Sequence, residues 1–243
     1  TGNIAASWVV PLLSASMSWR GSLKLMGVFG VCSAMISFYF LKDRDGVSAR
    51  RMNLSNIPFK VPSFWYMSFI QFIRLGSYYT FIAWMPLVLK EEYGLSIVAT
   101  SGAISLLNLA GIIANPIGGI VADRLGEKRV LMAGFFCLSL FILLFTFGIG
   151  SPVLYGLVFL LGWFINFTRS PSFSIIPDLF GAEAAGSISG INNTFASFGA
   201  LVLPFVLGYV RDATNSYTVG WYSVACLALS ASVLMYFVSD SDS

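Results

Sequence analysis

Histidine is absent from the 243-residue chain. That absence excludes Ser-His-Asp and Cys-His catalysis, His-bearing zinc sites and haem ligation by His. Cysteine is scarce. Cys32, Cys137 and Cys226 stand singly inside apolar runs, which gives neither a disulfide framework nor a CxxC metal site. Charge is the third shortage, because only 10% of the residues are Asp, Glu, Lys or Arg, against roughly 25% in an ordinary soluble domain. With 57% hydrophobic residues and a mean hydropathy of +0.81, the chain reads as an all-α polytopic membrane protein. Its net charge of +3 is too small and too dispersed for a nucleic-acid surface. The residues point to no cofactor and no metal.

What is present is a series of long apolar runs. They cover roughly Ser22 to Leu41, Phe64 to Leu89, Val98 to Val121, Val130 to Gly148, Val153 to Ile176, Gly186 to Val210 and Thr218 to Val238. Each is long enough, at 1.5 Å per residue, to cross a ~30 Å hydrocarbon core. Strands are excluded, since a membrane barrel shows alternating segments of ~10 residues. The run from Ile4 to Met17 is short for a span and reads as the end of a helix. The longest polar connection, Lys42 to Pro62, and the turn from Asp123 to Arg129 lie on one side of the membrane. Together they hold eight of the fourteen Lys and Arg residues. That excess marks the side as cytoplasmic and places the C-terminus there. A weak echo between Trp8–Pro11–Trp19 and its sequel, and Leu201–Pro204–Trp221 and its sequel, suggests repeated six-span units.

The sharpest pattern is Gly118-Gly119-Ile-Val-Ala-Asp123-Arg124-Leu-Gly126-Glu-Lys128-Arg129. Gly119 permits close helix approach and Gly126 a tight turn. Asp123 can cap the next helix or pair with a base, while the basic cluster holds the turn on the cytoplasmic side. At Gly119, Asp123, Arg124, Gly126, Lys128 and Arg129 the segment resembles the G-x-x-x-D-R-x-G-x-K/R-K/R loop signature of the major facilitator superfamily. In that family the signature lies between the second and third helices and recurs between the eighth and ninth. Its position here implies the second occurrence. The chain then maps as residues 1–41, the end of the N-terminal bundle (part of helix five, and helix six), residues 42–62, the cytoplasmic central loop, and residues 63–243, a C-terminal six-helix bundle of helices seven to twelve. Helices one to four of the family plan are missing from this stretch and would be required for transport. The resemblance implies a conformational role for the loop, a small-molecule solute, and a location in the plasma membrane.

Charge inside a span is costly unless paired or hydrated. Arg74 falls about ten residues into its span, and Gln71, Arg74 and Tyr78, at i, i+3 and i+7, share one helix face. Such a stripe fits a cavity wall carrying a fixed positive charge. Its structural alternative is an Arg that caps the carbonyls of a broken neighbour. A guanidinium fork suits bidentate binding of a carboxylate or phosphate. The helix continues Trp84-Met-Pro86-Leu-Val-Leu89-Lys-Glu91, which resembles the W-x-P-x-x-L-x-E end of helix seven in the organophosphate branch, where an Arg of this helix binds the anion. Here Arg74 precedes Trp84 by about a turn more than in that branch. Arg169, with Asn166 a turn earlier and Pro171 and Pro177 after it, is a candidate second anion contact, with a gate or an interhelical pair as the alternative its position favours. Asn108, Gly111, Asn115 and Gly118 share one face, and Ser189, Asn193 and Ser197 another. Both are candidate cavity walls or packing seams.

All eleven carboxylates fall in loops or at helix ends, so this stretch offers no intramembrane acid for proton coupling. The expectation is a secondary transporter of a small anionic organic solute, working by alternating access with a coupling proton or a counter-anion. A proton-coupled carrier of a neutral or cationic solute, with Arg74 structural, is the alternative, and an inactive truncated carrier is another. An enzyme is not expected. Gly186-Ser-Ile-Ser-Gly190 has Ile188 where a serine elbow needs Ser, and no His can act as base.

Overall fold

The computed structural model describes residues 19–40, 58–147 and 151–238. By its internal contacts the chain divides into two units, Thr1–Met52 and Asn53–Ser243. In the first, α1 (Trp19–Phe40) carries its two charges, Arg20 and Lys24, near its start and is otherwise almost wholly apolar, as a membrane span is. The incomplete run from Ile4 to Met17 and the central loop up to residue 57 lie outside the described residues.

The second unit contains α2 (Pro62–Glu91), α3 (Ile97–Leu125), α4 (Glu127–Phe145), α5 (Ser151–Phe167), α6 (Pro171–Phe180), α7 (Ala185–Thr214) and α8 (Thr218–Phe237). Among the described residues, seven helices are long and apolar enough to cross a membrane, counting α1 and taking α5 with α6 as one span. Local chemistry sets several boundaries. Pro62 opens α2, where a missing N–H costs nothing. The Ser96 hydroxyl caps α3 by accepting from the Ala99 N–H at 3.3 Å. At the junction of α3 and α4, Gly126 has φ +87°, a conformation that side-chain-bearing residues rarely adopt.

α2 packs most extensively on α7, α3 on α5, and α4 on α8. α2 is the interior helix, with Phe64, Met67, Ile70, Ile73, Phe81 and Met85 fully buried. Near the acidic end of α2, Phe81 stacks on Trp221 with ring centroids 4.6 Å apart, and Phe145 meets the same indole edge-on. At that end a clasp joins three helices. The Arg211 guanidinium pairs with Glu91 at 3.1 Å, and the Tyr217 hydroxyl donates to the same carboxylate at 2.9 Å. Burial and the Glu91 hydrogen bond push the Tyr217 phenol above its ordinary pKa, so it stays a donor.

Two sequence expectations need correction. The span Val153 to Ile176 is not one continuous helix, because it breaks into α5 and α6 at a turn over Thr168–Ser170. Pro171 is the cause. It has no N–H to give the Phe167 carbonyl, and its ring crowds that oxygen. The displaced carbonyl goes where α3 has no side chain, since a Cβ on Gly118 would collide with Phe167 O. Asp123, in turn, neither caps α4 nor pairs with a base among the described residues. The N-cap position of α4 is Gly126, with no side-chain cap.

Lys128 of the signature has a specific partner instead. Its ammonium donates to the Val238 carbonyl at 2.6 Å, just past the end of α8, and sits 5.8 Å from the Tyr236 ring centroid. A cation at a helix C-terminus satisfies an orphan carbonyl and opposes the helix dipole. Lys128→Met is expected to lower the unfolding free energy by about 1 kcal/mol, read as a small fall in Tm of the protein in detergent. An unchanged Tm would show the contact to be energetically idle.

Candidate functional site

The polar centre of the second unit is built on α2. Arg74 is 5% exposed and Gln71 is fully buried. The Arg74 Nε–H donates to Gln71 Oε1 at 2.6 Å, and the Gln71 amide donates to the Ser172 carbonyl at 3.0 Å. Gln71 therefore has both ends of its amide engaged, one on α6 and one on the arginine. The guanidinium carbon lies 5.4 Å from the Phe173 ring centroid, a cation–π contact. Beyond Nε, the guanidinium makes no hydrogen bond among the described residues, and no carboxylate there pairs with it. The result is a buried cation whose two Nη groups have no acceptor among the described residues.

The sequence expectation of an Arg capping a broken neighbour is met by a different residue. Gln71, rather than Arg74, binds the backbone beside the α5–α6 break. Arg169 sits in that break and is exposed. Its backbone carbonyl accepts the Ser172 hydroxyl at 2.8 Å. The structure thus brings Gln71 and Arg74 together with Ser172 and Phe173, and sets the Arg169 backbone beside Ser172. Ser172 and Phe173 were not singled out from sequence. Their only sequence signal was Pro171, immediately before them.

The other candidates stand apart from this cluster. Tyr78 is half-buried and meets Tyr79 edge-on. Asn108 is half-buried and gives its amide to Ile104 O of its own helix at 2.9 Å. Asn193 is exposed, with its carbonyl accepting the Ser197 hydroxyl at 2.9 Å. Its neighbour Asn192 is the one that turns inward. Fully buried, it accepts the Ser68 hydroxyl of α2 at 2.8 Å, and its amide nitrogen has no partner among the described residues. On α3, Gly111 and Gly118 form a seam against Asn166 and Phe167, with Asn115 between them. In the signature loop, Gly119 packs against Ser170, whereas Arg124 and Arg129 are exposed. No group of three or more metal-binding side chains occurs among the described residues.

This arrangement of apolar spans, a buried cation and a glycine-lined helix seam has a family. Residues 67–243 match the Major Facilitator Superfamily along their whole length. The chain belongs to that superfamily. A nitrite extrusion protein of Bacillus subtilis (strain 168) is 26% identical over 246 residues, covering 98% of this chain and 60% of that protein. The probable sulfoacetate transporter SauU of Cupriavidus necator is 24% identical over 240 residues, covering 86% of this chain and 55% of that protein. In fold the chain is similar to the crystal structure of a variant of the E. coli fucose:proton symporter FucP, with a TM-score of 0.73 at 16% identity over 99% of this chain and 61% of that one. The chain spans little more than half the length of the relatives it matches. It is a multi-pass integral membrane protein of a transporter family and not an enzyme.

Proposed function

We propose that this major facilitator chain serves the transport of a small organic anion by alternating access, with Arg74 as the group that grips the anion. One observation carries the reading. Arg74 is buried in the middle of a span with two Nη groups that meet no acceptor and no carboxylate among the described residues. An isolated charge in a low-dielectric interior is costly, and an oxyanion offers a guanidinium the bidentate partner it lacks. Gln71 acts as a positioning residue that fixes the fork from its Nε side. Arg169 adds positive potential at the break, and Tyr78, Asn108 and Asn193 are candidates for contacts to the rest of the solute. Both relatives named above carry anions in their names, which supports the same reading. The excess of basic residues in the central loop and the signature turn supports a cytoplasmic C-terminus in the cell membrane. Coupling to a proton or counter-anion completes the cycle.

Gln71→Glu tests this directly. A carboxylate at that position would neutralise Arg74 internally from its Nε side. The expected result is a loss of anion uptake in proteoliposomes of at least about a hundredfold, with the new charge pair offsetting the lost Gln71 donation to the Ser172 carbonyl so that the bundle stays folded. Undiminished anion uptake by this variant would retire Arg74 as the anion's ligand. It would favour the carrier of a neutral or cationic solute, in which the Gln71–Arg74–Phe173 cluster is purely structural.

A further inference from the structure

Among the described residues a cavity of about 430 Å³ opens between the last turns of α2 and the first turn of α3, within the ~300–1,000 Å³ of small-ligand sites. α2 and α3 touch far less than α2 and α7 do, so helix packing leaves this gap unfilled. Pro86, Leu87 and Ile97 give the cavity an apolar wall, and Lys90 and Thr100 are its polar members. Thr100 is 8% exposed, and its hydroxyl has no hydrogen-bond partner among the described residues. A buried hydroxyl left unpaired is costly. Lys90 is exposed in the last turn of α2, and its ammonium makes neither an ion pair nor a hydrogen bond among the described residues. The adjacent Glu91 carboxylate is held by Arg211 and Tyr217, and neither Glu91 nor Glu92 lines the cavity.

The cavity has a direction. Its cation stands where the span ends and water begins, while Ala83, also on the lining, lies two turns earlier and about 10 Å deeper along the helix. A ligand that fills it carries negative charge at the membrane surface and apolar matter beneath. A small hydrophilic anion would use the rim and leave the apolar wall unmatched. The glycerophosphate end of a lipid matches both, with its phosphate on Lys90, a phosphate or ester oxygen accepting from Thr100, and its upper acyl chain along Pro86, Leu87 and Ile97.

We infer that this cavity binds an anionic phospholipid of the leaflet opposite the basic loops, wedged between the ends of α2 and α3. The site is separate from Arg74 and does not depend on the reading of that residue.

The test titrates purified, delipidated protein in detergent with palmitoyl-oleoyl phosphatidylglycerol and with phosphatidylcholine of the same chains, reading occupancy by native mass spectrometry. Phosphatidylglycerol is expected to bind about fivefold more tightly, the scale of one basic residue at a membrane surface. Lys90→Gln should bring it down to the phosphatidylcholine value. Thr100→Val, close in shape, should weaken both lipids about threefold to tenfold, as loss of one hydrogen bond does. Ala83→Trp, which fills the deep end, should also weaken both. Lys90 and Ala83 are exposed, so their variants are expected to fold. To locate the lipid, phosphatidylglycerol with a diazirine in its acyl chain should label residues 83–90 and 97–101 in wild type, and much less in Lys90→Gln. Glycerol 3-phosphate alone should bind far more weakly. Binding as tight as the lipid's would make this a free-phosphate site and overturn the inference. A phosphatidylglycerol preference that survives Lys90→Gln overturns it too. So does labelling confined to other segments, the result expected if part of this chain fills the cavity or if Lys90 only reaches for water.

Discussion

Arg74→Ala is expected to abolish anion binding and uptake, by more than about a hundredfold, and to leave the bundle folded. The size follows from the setting. Removing one partner of a desolvated, hydrogen-bonded charge pair costs about 3–5 kcal/mol, and each 1.4 kcal/mol is roughly tenfold in affinity. The folded state loses little, because Arg74 has no carboxylate partner to strand among the described residues. Gln71 keeps its anchor on Ser172 and loses only the acceptor role of Oε1, a loss of about 1 kcal/mol. Against this stands the removal of a buried unpaired charge, which is favourable. A Tm within a few degrees of wild type, together with lost binding, is the expected pair of results. Arg74→Lys should fall between, since an ammonium keeps the charge without the planar fork. Tight anion binding by the alanine variant would remove the basis of the proposed function.

The largest expected effect on stability lies where α2 and α7 touch backbone to backbone. A Cβ on Gly199 would overlap the Phe72 carbonyl oxygen and come within 2.8 Å of its carbon, and a Cβ on Gly76 would lie 2.8 Å from Gly199 O. These two glycines face each other across the most extensive helix pair in the unit. In a membrane, close backbone approach of this kind replaces the hydrophobic drive that lipid removes. Gly199→Val must push the helices apart or rotate one of them, at a cost of about 2–3 kcal/mol. A marked fall in Tm, or failure to recover folded protein, is expected. Gly190→Ala, on the same helix with open space around its Cβ position, is the control and should leave Tm unchanged or slightly raised. Equal behaviour of the two variants would show that the α2–α7 contact is looser than its geometry indicates. Separation of α2 from α7 would also loosen the Ser68–Asn192 hydrogen bond one to two turns nearer the start of both helices, so anion affinity should fall with stability in partly folded variants.

The span pattern was legible because lipid imposes one rule on every turn of a crossing helix. Apolar length alone located all seven spans to within a few residues. The depth of Arg74 was legible by counting, and the family by one turn of sequence from Gly119 to Arg129. Which of two adjacent residues faces inward was not. Neighbours on a helix differ by 100°, so Asn193 reads as well as Asn192, and only the position of α2 decides that Asn192 is the buried one. The break at Pro171 was equally hidden. Pro86, Pro116 and Pro204 lie inside continuous helices, so a proline within a span does not announce a turn. What distinguishes Pro171 is the neighbour that receives the displaced carbonyl, and that neighbour, Gly118, is some fifty residues away in the chain.

Composition and periodicity by themselves determined that this is an all-helical membrane protein, where its helices run, and that a charged arginine lies in one of them, since each follows from the cost of exposing polar groups to hydrocarbon. Only the tertiary structure decided what that arginine meets. Gln71 comes from α2, and Ser172 and Phe173 come from α6, about a hundred residues away in the chain. Neither segment encodes that meeting, because α6 is held in place by its packing on α4, α7 and α3.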